Sequence, residues 1–577
     1  MTNELNITNE RVDDIPLLLA QIKGMGIPEL LDTHFVTHGN WVGTSLGWTT
    51  GIWLAHILSR GDHRLSWVEK WVSGRVATLE CSTGQVVLAT EWSDDRLGRI
   101  LDALSEDEAW QGFERALNRR TIRVYDLRPE RVRVDSTTAS GYWTVTEDGL
   151  FQFGHSKDHR PDQPQVKVNL SVLDPLGIPV ATQVVSGESA DDPLYVPAIE
   201  QVRKSLAMSG LLYVGDSKMA AQATRAAVQA HGDYYLCPLS KKQLSEATLA
   251  EYLVPVWAQA VTPSPLVRED AAGERREMAV GFERAPKGHP TVTHALADRS
   301  LTWTERHLVV RSHQLAKTSE QALRVRLDKA QMALTQLNER KQGKRRLETR
   351  TEMHEAALAI LARQRAEGLV KLTITEQGEE RPVRAYGDRP ASVRSERILT
   401  LQTEVDETAV QEAIRRYGWR VYATNQPPPT LSLEQAMLAY REEFLVEHNF
   451  ARLKGRPLSL TPMYLQSDKR VTGLIHLLSV CLRILVLLEF QVRRRLAEQN
   501  DVLAGLYAAN PKRTTSRPTA ETLLEAFRNI TLSCVTLNHQ SFQHLSSLSD
   551  LQKKILTLLD LSPAIYDCLT ADSLKPP

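Results

Sequence analysis

The chain has 577 residues, too many for one hydrophobic core, so roughly two to four domains are expected. Its 42% hydrophobic and 24% charged residues exclude a disordered or fibrous chain. The 70 basic residues balance 70 acidic ones, so any grip on nucleic acid must come from local patches.

Residues 1 to about 125 read as mainly helical. Ile15 to Ile22 is apolar, and Gly24, Gly26 and Pro28 break it. Trp41 to Trp71 is rich in aromatics, and Ser93 before Asp94-Asp95 predicts a helix start with acids in its first turn. Arg119, Arg120, Arg123, Arg128, Arg131 and Arg133 form a basic approach to the next segment. From about 130 to 238 the pattern is α/β. Strands are predicted at Arg131 to Asp135, Gln165 to Leu173, Ile178 to Val185, Leu211 to Asp216 and Asp233 to Pro238. Asp174-Pro175-Leu176-Gly177 is turn chemistry that makes the second and third a hairpin. Helices are predicted at Pro193 to Met208 and Ser217 to Ala230, giving a mixed sheet flanked by helices.

Residues from about 240 to 425 interrupt this core. Leu323, Leu327, Ala330, Leu334 and Leu337 form a short heptad stripe. With the helical run around Ala357, Ile360 and Leu361 it predicts a hairpin whose basic tip is Lys341 to Arg346. Ala295 to His313, Leu369 to Thr375, Ile398 to Gln402 and Gly418 to Thr424 read as strands. Ser432, with Gln435 as its capping-box partner, starts a helix expected to continue through Glu447. Beyond about 456 the chain reads as helical. Gly473 to Phe490 is its longest apolar stretch, and His476, Arg483 and Glu489 inside it favour a buried helix over a membrane span. Cys81, Cys237, Cys481, Cys534 and Cys568 are scattered, which predicts neither a zinc site nor disulfides and fits a reducing cytosol. No signal peptide is read at the N-terminus.

The chemistry lies in three acids. Asp135 and Asp216 each end a predicted strand, and Glu447 lies on a predicted helix with Tyr440 and Lys454 seven residues away on either side. Two magnesium ions, each needing only one or two carboxylates, suit such a set, with Asp135 as the bridge. Manganese is the expected substitute.

The run Tyr440, Glu447, Lys454 resembles the signature Y-x2-R-x3-E-x6-K of DDE transposases of bacterial insertion sequences. The segments Val134 to Thr137 and Gly154 to Gln165, and the strand at Asp216, resemble the same branch. Glu443 stands where the signature has arginine. The resemblance implies a ribonuclease-H-like core with Asp135, Asp216 and Glu447 catalytic. It also implies DNA contacts by Tyr440, Lys454, Arg441, His155 and Lys157, and cleavage and strand transfer at terminal inverted repeats. The implied layout is a DNA-binding helical region at 1–125, the core at 126–239 and 426–500, an inserted α+β domain at 240–425 and a helical region at 501–577. A homodimer gripping transposon ends and target DNA in the bacterial cytoplasm, with no membrane, completes the expectation. A nuclease without strand transfer and an inactive DNA-binding derivative are the alternative readings.

Overall fold

The computed structural model describes residues 5–37, 39–269, 274–284, 291–295, 300–339, 347–385, 387, 390, 392–537 and 540–571. The chain forms two compact units. One comprises Met1–Cys237, Thr293–Trp303 and Ala439–Pro577, the other Pro238–Val292 and Thr304–Leu438.

The first unit is built on β1 (Arg131–Ser140), β2 (Gln165–Asp174), β3 (Ile178–Ser186), β4 (Leu212–Val214) and β5 (Tyr234–Pro238), in the order β3-β2-β1-β4-β5. β1, β2 and β3 pair antiparallel, while β4 and β5 run parallel to β1. This mixed sheet agrees with the strands expected from the sequence. The alternation in β2 suggests one solvated face, yet every residue of the strand is buried. Much of its polar face is buried against partners: Asn169 donates to Gln183 at 3.1 Å and Lys167 pairs with Asp191 at 2.8 Å.

Helix α1 (Tyr195–Leu206) follows β3, α2 (Gln222–Ala230) joins β4 to β5, and α3 (Phe444–Lys454) packs on β1 and β2. Asn449 of α3 donates to the carbonyl of Gly177 in the β2–β3 turn, where φ of 76° suits glycine. Helix α4 (Asp468–Glu498) carries the long apolar run. It is long and apolar enough to cross a membrane, but 94% of its apolar window is buried inside the protein. The three titratable residues that interrupt the run each have a partner. His476 donates from Nδ1 to the carbonyl of Leu104 (2.8 Å) and stacks on Trp110 with ring centroids 4.1 Å apart. Arg483 pairs with Glu114 at 2.5 Å, and Glu489 pairs with Arg452.

Two expectations fail here. The N-terminal region opens with a strand, Leu5–Arg11, which pairs with Thr531–Leu537, and that strand pairs in turn with Gln540–Leu545. The C-terminal region is therefore not wholly helical. The second failure concerns cysteine: Cys81 and Cys568 form a disulfide, their Cα atoms 6.3 Å apart after a separation of 487 residues. Spacing along the chain could not show a pair made by tertiary contact between the helices Val76–Thr83 and Ala564–Ala571.

The second unit has four antiparallel strands, Trp419–Thr424, Arg306–Ser312, Arg275–Glu283 and Ser264–Glu269, neighbours in that order. Leu323, Leu327, Ala330 and Leu334 of the helix His313–Thr335 pack in one core with Met353, Ala357 and Leu361 of the helix Arg350–Gln364. The strands Val370–Val383 and Ser392–Val405 form a long ribbon. The basic tip expected at 341–346 lies outside the described residues.

Candidate active site

Strand register places the two aspartates side by side. Arg133 of β1 is paired in parallel with Val214 of β4. Asp135 and Asp216 each lie two residues further on, just past the stretch where the two strands pair. Asp216 follows the end of β4, whereas Asp135 sits midway along β1, which runs on to Ser140 instead of ending at the aspartate as expected from the sequence. Together they line a cavity of about 10 Å³ with Ser136, Asn169, Asp191 and Tyr195. Val134, Asp135 and Asp216 also line a second small cavity, also about 10 Å³, with Tyr440, Glu443 and Val446. Each has room for about one water-sized particle.

Each aspartate is held by donors. Asp135 accepts the amide N–H of Ser136 at 2.7 Å and faces the Lys157 ammonium at 3.3 Å. Burial pushes its carboxyl above the usual range; Lys157 opposes that shift and the nearby charge of Asp216 adds to it. Asp216 accepts the Tyr195 hydroxyl at 2.7 Å and the amide of Lys218 at 2.8 Å. Burial, and then the Asp216 charge, drive the Tyr195 phenol well above its ordinary value, so it remains a neutral donor. Asp191 accepts the Ser136 hydroxyl at 2.9 Å and the Lys167 ammonium at 2.8 Å. Burial pushes Asp191 up, but Lys167, Lys157 and Ser136 outweigh it and hold the carboxyl below its usual range.

The signature run is not one helix. A first helix, Leu433–Arg441, is capped as expected by Ser432 and Gln435, whose reciprocal bonds are 2.9 and 3.1 Å. The chain then turns at Glu442-Glu443 before α3 begins. Buried Arg133 accounts for the break. Its guanidinium donates to the carbonyls of Ala439 and Tyr440, which a continuous helix needs for its own ladder, while pairing with Asp174 at 2.9 Å. Tyr440 and Lys454 therefore sit on different helices, correcting the single stripe expected from heptad spacing.

The corner brings Glu443, the N-cap residue of α3, to the aspartates. Burial raises its carboxyl above the usual range, followed by repulsion from Asp135, Glu447 and Asp216. Glu447 lies one turn further on, exposed, and outside the two small cavities. Lys454 pairs with Asp158 and donates to the carbonyl of Thr138 at 3.3 Å. Lys157 is engaged with Asp135 and the Ser136 hydroxyl, while the His155 side chain is exposed. Arg441 ends the first helix, half-buried. Arg452 is buried and held by Glu489 and Glu521.

Sequence reasoning missed Tyr195 and Lys167; it named Arg133, Asp191 and Glu443 but placed none of them among the site residues. Lys167 and Asn169 alternating within an apolar strand were the available signal, since a polar face in a central strand needs buried partners. The donor chemistry fits a hard divalent cation, because every acid here offers carboxylate oxygen. The side chains surround the cavities without converging: among the described residues no three His, Cys, Asp or Glu groups are close enough to enclose an ion.

Among solved structures, the chain is similar to the piggyBac transposase synaptic complex with hairpin DNA. The match has 6% identity, covers 97% of this chain and 85% of that one, and has a TM-score of 0.35. No curated protein matches the chain in sequence. The model of the transposase DDE domain matches residues 128–484, a span holding both aspartates, the signature run and most of α4. With more than half of its length inside that match, the chain belongs to the transposase DDE domain family.

Proposed function

We propose that the protein is a DNA transposase that cuts at the terminal inverted repeats of an insertion sequence and joins the freed ends to target DNA. The observation that carries this reading is the register of β1 and β4, which brings Asp135 and Asp216 to one cavity where the pairing of the two strands stops, within the family match. The mixed sheet with strand order β3-β2-β1-β4-β5 supports a ribonuclease-H-like core in this reading. Asp135, Asp216 and Glu447 are the proposed ligands of two magnesium ions, with manganese as a substitute. Bound there, the ions would activate the attacking oxygen and stabilise the leaving one.

The chain's own groups hold the machinery in place. Lys157 and the Ser136 amide orient Asp135, and Tyr195 orients Asp216. Lys454 and Tyr440, with Arg441, His155 and Lys157, are the proposed contacts to phosphates and bases. Water first cuts a strand, and the freed 3′-hydroxyl then attacks a target phosphodiester in line, with no covalent protein–DNA intermediate. The proposed assembly is a homodimer that holds both element ends in a bacterial cytoplasm, with the N-terminal helices reading the repeats.

Asp135→Asn, Asp216→Asn and Glu447→Gln are each expected to abolish nicking of an end-containing duplex in magnesium or manganese, by at least about 10³-fold, while retaining end binding in a gel-shift assay. Undiminished nicking by Glu447→Gln sinks the assignment of that residue.

A further inference from the structure

The arginines that lead toward β1 form a charged surface outside the active site. Between Arg115 and Arg128 five arginines stand against one acid, Asp126, in a chain whose basic and acidic residues balance. The helix Asp107–Val124 carries four of them. It buries Trp110, Phe113, Glu114, Leu117, Asn118 and Thr121. At about 100° per residue, Arg115, Arg119 and Arg123 fall on the opposite side, as a crest facing away from the core. Arg119 and Arg123 are exposed and Arg115 is half-buried. Arg120 flanks the crest and donates to the carbonyl of Gly24 at 3.4 Å, next to exposed Lys23.

The acids of this helix do not offset the crest. Asp107 and Glu108 lie in the first turn, where they suit the helix dipole, and Glu114 is buried against Arg483 and Gln201. Among the described residues none of Arg115, Arg119, Arg120, Arg123 and Lys23 forms an ion pair. Arginines of other helices do: Arg324 pairs with Glu320 and Glu407, and Arg528 with Glu525. The spacing of four also sets like charges one turn apart twice in succession, which disfavours the helix unless an anion offsets them.

We infer that the crest of Arg115, Arg119 and Arg123, flanked by Arg120 and Lys23, is a contact surface for the phosphate backbone of duplex DNA. This rests on the transposase reading proposed above and adds a surface to it. Eight residues of helix make the crest about 12 Å long. One DNA strand carries a phosphate about every 3.4 Å along the axis, so the crest spans roughly three of them. Contacts to phosphates hold DNA of any sequence equally.

The test is fluorescence anisotropy of the full chain with two labelled duplexes of equal length, one with a terminal repeat and one of unrelated sequence, over a range of salt and without divalent metal. In Arg115→Gln/Arg119→Gln/Arg123→Gln both duplexes are expected to bind at least about 10-fold more weakly near about 0.1 M salt, and the slope of log K against log salt to shrink by about 2 to 3. Circular dichroism checks the fold, and Arg119→Gln/Arg123→Gln, at the two exposed positions, takes its place if the triple variant does not fold. Arg115→Lys/Arg119→Lys/Arg123→Lys keeps the charge and is expected to retain most of the affinity; a loss equal to that of the glutamine variant overturns the inference in favour of a structural role. Unchanged affinity and slope in the glutamine variant overturn it while leaving the transposase reading standing. A loss confined to the terminal-repeat duplex, or one seen with phosphatidylserine vesicles and not with duplex, also overturns it. Failure of the wild type to bind either duplex overturns both.

Discussion

Asp14 shows what burial does to a single acid outside the active site. It is 5% exposed and accepts the Ser59 hydroxyl at 2.6 Å, and burial raises its pKa from 3.8 to about 6. A carboxyl whose folded pKa is raised favours the folded state fully below the unfolded value, and that benefit is lost as pH rises through the folded one. Stability is therefore expected to fall relative to Asp14→Asn between about pH 4 and pH 6, by on the order of 2–3 kcal/mol in total. Thermal melts of both proteins across that window check it, and parallel curves contradict it. At the proposed active site, Tyr195→Phe removes the hydroxyl that donates to Asp216 and is expected to slow nicking about 10- to 100-fold with end binding unchanged. Single-turnover kinetics measure this. Asp135 and Asp216 were legible as residues because each closes a strand-like run. Tyr195 and Asp191 were not, since a tyrosine opening a helix and an aspartate before one look like ordinary packing and capping, and only the fold aims them at the sheet edge.

At the scale of elements, α4 depends on a buried ion pair. Arg483 and Glu114 are each 1% exposed, and Gln201 also donates to Glu114 at 2.8 Å. Arg483→Met strips buried Glu114 of its counter-ion, which costs about 3–5 kcal/mol, whereas adding Glu114→Met should restore most of the lost thermal stability. A double variant as unstable as the single one argues against this account. The strands of the first unit and the apolar character of α4 were readable from alternation and length. The break at Glu442-Glu443 was not. Its residues are compatible with helix, and the cause is a tertiary donor, Arg133, reaching carbonyls some 300 positions away in the chain. That break separates Tyr440 from Lys454 and turns Glu443 inward.

For the whole molecule, segments far apart in the chain meet in one sheet, where Leu5–Arg11 lies against Thr531–Leu537. Asp13 reinforces this closure by accepting the amide of Asn529 at 2.8 Å, and its carbonyl accepts the Tyr566 hydroxyl at 2.9 Å. Deleting residues 1–12 is expected to strip hydrogen-exchange protection from alternate amides of Thr531–Leu537 while leaving β1 and β2 protected. Unchanged protection at Thr531–Leu537 contradicts the pairing. Sequence pattern could not reveal this sheet, because a short strand carries little signal when its partner is distant in the chain. The central claim concerns what the assembled molecule does to DNA. The most direct measurement is joining: the full chain, magnesium, a pre-cut terminal-repeat duplex and a supercoiled target plasmid, scored for covalent end-to-plasmid products. The account predicts joined products from the wild type and none from Asp135→Asn or Glu447→Gln. Nicking without any joined product, or joining that survives Asp135→Asn, would contradict it.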